Sequence, residues 1–290
     1  MITAFVYSII GVFWQKLFPM KTPIAIVFSI LMVICVVSSC SKSDAPAKEG
    51  AILTRYKTTF RDTIIFHYIY DRDANNKIIS MRDSTWAYEF KTNLVYGSNN
   101  KVSKIEFWQG GTTAMGSYEL EYNSTGRISK RKILAGTNIV PEEYNVYVYD
   151  GTGHLIIDSQ FIKANNGTYK PARVGKFQYT ADNISVAEDY DLTSGAAVLH
   201  SKLKYEYDNS VNPFKDMEYE YYINEAGSAA YTVVMMSANN VLKMYQANGN
   251  GGWDVQYTST YTYNSNNYAL KVKTETGTAS QRAEVEYSFQ

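Results

Sequence analysis

The chain has 290 residues, with 28 basic and 28 acidic side chains. Lys16 and Lys21 are the only charges before Cys40, leaving 26 basic against 28 acidic residues after it. That balance excludes a nucleic-acid partner, whose phosphates need a basic excess. Cys35 and Cys40 are the two cysteines, so the body beyond them has no disulfide, thiolate nucleophile or cysteine-held metal.

In chain order, Met20-Lys21 and the apolar run Ile24 to Ile34 have the form of a signal peptide, a positive start followed by an export-competent stretch. Val37-Ser38-Ser39-Cys40 reads as a lipobox. Small residues admit the peptidase to the backbone, and the Cys40 thiol takes the lipid that anchors the mature chain to a membrane. A spanning helix is disfavoured, because residues 24–37 are short for a bilayer. We therefore divide the chain into a leader over 1–39 (with Met20 an alternative start), a lipidated cysteine and tether over 40–54, and a repeat domain over 55–290. Ser41-Lys42-Ser43-Asp44 leaves the periplasmic and cell-surface faces of the outer membrane equally open.

The repeat domain is organised by tyrosine. Tyr70, Tyr96, Tyr122, Tyr149, Tyr179, Tyr207 and Tyr263, with Met236 in the missing place, recur every 26 to 30 residues. Four residues after an anchor stand Asn100, Gly126, Gly153, Asn183, Asn240 and Asn267, residue types that tolerate a left-handed backbone and so predict hairpin turns. Aliphatic residues then restart extended structure, as at Val102, Ile128 and Leu155. Alternation such as Tyr118/Leu120/Tyr122 against Glu119/Glu121, and Met217/Tyr219/Tyr221 against Glu218/Glu220, predicts strands with one dry face. The expected fold is all-β: an antiparallel meander of about 16–18 strands, curled into a two-layer sheet or open barrel behind a signal-peptide helix. No helical period is evident after Cys40.

Tyr149-Asp150-Gly151-Thr152-Gly153-His154-Leu155 and Tyr122-Asn123-Ser124-Thr125-Gly126-Arg127-Ile128 resemble the YD (RHS-type) repeat. The periodicity, Asn212-Pro213-Phe214 and the Ser237-Ala238-Asn239-Asn240 turn resemble an uncharacterised family of Bacteroides-group lipoproteins carrying a domain of unknown function. That resemblance covers residues 55–290 and implies a β-repeat body at the cell envelope. RHS proteins enclose a toxin in a β-cocoon; the longer repeat here does not carry that role over.

Candidate chemistry is sparse. His67, His154 and His200 lack metal-ligand spacing. Glu119/Glu121, Glu218/Glu220 and Glu284/Glu286 have a spacing that suits paired glycosidase acids, but they recur as a solvated strand face does. Asp71-Arg72-Asp73 opens like a calcium loop without its glycine, and Asp150-Gly151-Thr152-Gly153 resembles a phosphate loop without a following helix. Neither a catalytic set nor a cofactor is predicted. Trp108 and Trp253, flanked by Gly110-Gly111 and Gly249-Asn250-Gly251-Gly252, together with Trp86 are the candidate binding residues for a glycan or an envelope protein. The competing expectations are an envelope hydrolase and a purely structural component.

Overall fold

A computed structural model describes residues 52–60, 63–85, 90–138, 140–215, 229–276 and 282–289. The leader, Cys40, Trp86 and the strand expected over 217–221 lie outside them. The first eight strands are β1 (Leu53–Phe60), β2 (Thr63–Arg72), β3 (Ile78–Asp83), β4 (Phe90–Tyr96), β5 (Val102–Gln109), β6 (Thr113–Tyr122), β7 (Ile128–Ala135) and β8 (Glu143–Tyr149). Then come β9 (Leu155–Lys163), β10 (Tyr169–Thr180), β11 (Asn183–Asp191), β12 (Val198–Val211), helix α1 (Ala229–Met236), β13 (Asn239–Ala247), β14 (Trp253–Tyr263), β15 (Ala269–Thr276) and β16 (Arg282–Phe289).

Each strand pairs antiparallel with its neighbour in sequence, and β1 pairs β16 from Leu53↔Phe289 to Phe60↔Ala283. The meander therefore closes into a barrel of 16 strands rather than staying open. Closure removes both sheet edges, and an even strand number lets first and last meet antiparallel.

Every odd-to-even strand connection lies at one end, the far end; the tyrosine-anchored turns lie at the other, with the start of β1 and the end of β16. At this near end the turns repeat one geometry. In Gly97–Lys101, Asn123–Arg127, Asp150–His154 and Asn264–Tyr268 the first residue donates its N–H to the fifth carbonyl and accepts from the fourth N–H. That fourth residue has positive φ: Asn100 65°, Gly126 79°, Gly153 95° and Asn267 66°. It is a type I turn ending in a left-handed residue.

Two expected turn residues belong elsewhere. Asn183 opens β11 behind a tighter turn whose positive φ falls on Ala181. Asn240 lies in β13, and its amide holds the Asp208 carboxylate at 3.1 Å. Met236 is not a strand anchor but ends α1, an eight-residue helix that the sequence reading missed. AAYTVVMM is too short and too uniformly apolar to display a helical period. Between β12 and α1, Asn212 caps the backbone of Phe214, whose ring enters the barrel edge-on to Tyr56 at 5.9 Å. Phe214, Val233 and Met235 are fully buried and fill the near end.

Candidate functional site

The interior is dry at the near end and polar beyond it. Ile105, Leu155, Ile184, Val285, Tyr287 and Phe214 belong to one continuous core. A void of about 20 Å³, room for one water, lies among Asn212, Asn240, Ser259, Tyr261 and Thr274. Towards the far end, inward positions of consecutive strands carry a polar layer. Arg131 is 1% exposed; its Nη2 donates to Asn145 Oδ1 at 2.8 Å, and its guanidinium lies 4.7 Å over the Tyr118 ring. Asn145 donates on to Asp158, Gln160 to Glu143 at 2.8 Å, and Arg173 pairs with the buried Asp189. In register, Arg131, Asn145, Gln160 and Arg173 follow one another around the wall. Such charges are tolerated inside only when mutually bonded. The signal was a polar residue at an inward position of each successive strand.

The outer wall is charged. Lys57 bridges to Glu286 at 3.1 Å, Lys132 to Glu121 at 2.5 Å and Lys202 to Glu188 at 2.7 Å. Of the paired acids, Glu121, Glu284 and Glu286 are thus held in ion pairs on a solvated strand face, and Glu218 and Glu220 lie outside the described residues. Hydrogen bonding from Lys132 lowers the Glu121 carboxyl, the opposite of what a general acid needs. Among the described residues no three metal-ligating side chains converge.

The near-end turns are laced together. The Tyr96, Tyr122 and Tyr149 hydroxyls donate to the carbonyls of Ile78, Val102 and Ile128 at 2.7–2.8 Å, and Tyr207 donates to Ile184 at 2.6 Å. Each anchor thus ties its hairpin to the aliphatic residue that restarted the previous one. In the last repeat, Tyr263 bonds Asp208, and Tyr261 takes the Val241 carbonyl instead. Over the anchor rings lie Lys77 (Tyr96, 4.7 Å), Lys101 (Tyr122, 5.2 Å) and Arg127 (Tyr149, 5.4 Å), and His154 stacks on Tyr179 at 4.2 Å. The same side chains reach the next turn: Lys77 bonds Asn100, Lys101 bonds the Gly126 carbonyl, and His154 meets Asp182 at 3.1 Å. His154 is a rung of this ladder. His67 sits apart, 2.9 Å from the Ser84 hydroxyl, with burial and then Arg55 and Lys57 lowering its pKa.

Trp108 ends β5 and Trp253 opens β14, so both stand at the far end. They lie on opposite walls, seven strands apart around the ring, and form no common platform. The Trp108 indole N–H is buried without a partner among the described residues, while Lys204 Nζ lies 5.3 Å over the Trp253 ring. Around Trp253 the outer wall is aromatic. Tyr144 stacks on Phe161 at 4.8 Å and meets Tyr169 at 5.0 Å, while Lys130, Lys176 and Lys204 cover the rings of Tyr144, Tyr190 and Tyr245 at 4.3–4.8 Å. Sequence reasoning missed this surface because its members come from eight different strands.

Geometry defines the class: a closed β-barrel of tyrosine-anchored hairpins with a packed interior. No protein-family profile and no curated protein matches the chain. Among solved structures it is similar in fold to a porin-like protein from Bacteroides uniformis, with TM-score 0.51 and 9% identity over 82% of this chain and 98% of that one. A porin-like protein from Bacteroides vulgatus aligns with TM-score 0.45 and 10% identity over 83% and 99%. The Photorhabdus luminescens Tc holotoxin pore aligns with TM-score 0.32 and 14% identity over 77% and 10%.

Proposed function

We propose that the protein is a lipid-anchored cell-envelope barrel, held at the outer membrane through Cys40, that binds a glycan or an envelope protein on the surface it presents away from the anchor. One observation carries the reading: the tethered start of β1 and the Trp108 and Trp253 rims lie at opposite ends of the strands. A strand of 8–11 residues spans roughly 30 Å, enough to lift the far rim clear of the headgroups.

The fold shared with a porin-like protein favours an envelope setting, but across β15, β16 and β1 the wall has the opposite polarity to a membrane-spanning one. A membrane-spanning barrel turns apolar residues outward and polar ones inward. In this chain Lys57, Glu286, Lys271 and Glu284 face out while Val272, Val285 and Tyr287 face in. That side of the wall suits water, which supports lipid at Cys40 as the means of attachment. Palmitate labelling and fractionation test this. Cys40→Ala is expected to abolish labelling and to move the protein from the membrane to the soluble fraction. A Cys40→Ala protein that stays membrane-bound after salt and carbonate washing would show that the wall itself inserts.

A further inference from the structure

Lysines on the outer wall fall into two kinds. Across β15, β16 and β1 they are neutralised by carboxylates in register: Lys57 and Lys271 flank Glu286, and Lys273 faces Glu284. From β7 to β14 the arrangement differs. Lys130, Lys176 and Lys204 lie over the rings of Tyr144, Tyr190 and Tyr245, and Lys204 also lies over Trp253. Lys130 faces Glu121 and Lys176 faces Glu188 in register, but Glu121, Glu188 and Glu206 already hold Lys132 at 2.5 Å, Lys202 at 2.7 Å and Lys243 at 3.3 Å, and the last two accept from the Tyr190 and Tyr245 hydroxyls. Six lysines therefore share three glutamates, and three positive charges are left on aromatic faces.

The band is also unusually apolar for an outer wall. In register, Tyr144 faces Phe161, and Tyr190 lies between Val174 and Leu199. Leu199 is 48% exposed and Val255, beside Tyr245, 49%. Rings with cations above them and exposed aliphatics between them offer both halves of what an acidic sugar needs. C–H faces pack on aromatic and aliphatic surface, and carboxylates pair with ammonium groups.

Building on the glycan-binding reading above, we propose that the outer wall from β7 to β14 binds an acidic polysaccharide, a chain of uronic-acid-type sugars, laid across the strands. The geometry favours a polymer over a membrane surface. From β8 to β14 are six strand spacings, roughly 28 Å measured around a convex wall. A flat bilayer touches only two or three adjacent strands of such a curve, whereas a flexible chain follows it. The three ring-seated lysines sit on β7, β10 and β12, too far apart for one headgroup.

The test uses full-length protein in mild detergent with polygalacturonate as probe, its fully methyl-esterified form as neutral control, and phosphatidylglycerol vesicles as the competing surface. The triple variant Lys130→Met, Lys176→Met, Lys204→Met keeps the aliphatic stems on the rings. It should weaken polygalacturonate binding at least tenfold and flatten its salt dependence, with melting unchanged. Replacement of the same three by Arg should retain binding, and so should Lys57→Met, Lys271→Met, Lys273→Met on the opposite wall. Equal losses in the two Met triples would mean unspecific attraction and overturn the proposal. So would an unchanged Kd in the first triple, or vesicle binding that depends on these lysines while polymer binding does not. Equal binding of the esterified polymer would leave glycan binding standing and remove the acidic specificity. Binding to neither polymer would remove the acidic-glycan site and count against the broader glycan reading as well.

Discussion

The two ends of the barrel are built from the same hairpins but solve different problems. At the near end a tyrosine, a cation or imidazole over its ring and a left-handed turn residue recur in four consecutive repeats, so neighbouring turns bond to one another and enclose a dry core sealed by Phe214 and α1. At the far end Ala164–Thr168 and Asn248–Gly252 repeat that turn while the other described loops differ, the interior turns polar around Arg131 and Asp189, and aromatic rings appear on the outside. Periodicity belongs to the end that holds the fold together. Variation belongs to the end, and the wall beside it, that is free to meet something else.

Substitutions can break that contrast. The largest effect should follow Phe214→Ala, which empties a fully buried site between Tyr56 and Tyr287 at the near end. A loss of about 3–5 kcal/mol in urea melts is expected, by the cost of truncating a buried aromatic. Trp253→Ala at the half-buried far rim should cost well under half of that. Comparable losses would mean that the two ends share the load. Next in size is a matched pair of glycines. Gly126 (φ 79°) and Gly167 (φ 82°) occupy equivalent turn positions at opposite ends. Valine at either incurs backbone strain of about 1–3 kcal/mol. Only at Gly126 does the new Cβ meet the Lys101 ammonium, which is bonded to that turn and seated on Tyr122; at Gly167 the space is open. Gly126→Val should therefore be the more damaging by about 1 kcal/mol, the worth of the displaced contact. Indistinguishable melts would show the lacing to be idle.

Much of this was legible in the sequence, and what was not has a physical reason. Strand alternation such as Tyr118/Leu120 against Glu119/Glu121 reports a dry and a wet face directly, so the all-β meander and its strand number follow from it. Turn residues were legible where the turn is local: Asn100, Gly126, Gly153 and Asn267 have the backbone their residue types suggest. Asn183 and Asn240 were misread because an amide beside an anchor can serve a partner distant in sequence; they bond Asn239 and Asp208. Closure was open because Leu53 and Phe289 carry no local sign that they will pair. The lacing was also hidden. The motif displays a cation before the aliphatic residue, but not that it stacks on the next tyrosine. The aromatic wall needs the register of eight strands, which no single segment encodes.

The smallest effect is a pH dependence, and it sharpens the contrast between ends. In the near-end turn, Asp150 Oδ1 accepts from the Thr152 hydroxyl and from the backbone N–H groups of Thr152, Gly153 and His154. These bonds, the hydroxyl foremost, hold the carboxyl down to about 2 from its ordinary 3.8. Between those values the unfolded chain binds the proton and the folded one does not, so folding is favoured as pH rises across the interval. The contribution is fully present above pH 3.8 and is lost as pH falls through about 2. At the far end Asp191 is lowered too, by the Thr193 hydroxyl and then its backbone N–H. Asparagine at either position keeps an acceptor oxygen but does not titrate. Melting temperatures measured from pH 4.5 to pH 2 should fall less steeply in Asp150→Asn than in the parent. Asp191→Asn should flatten the slope less, since fewer donors surround that carboxylate. If both variants keep the parental slope, or if Asp191→Asn flattens it more, the near-end turns have no special hold on their acids.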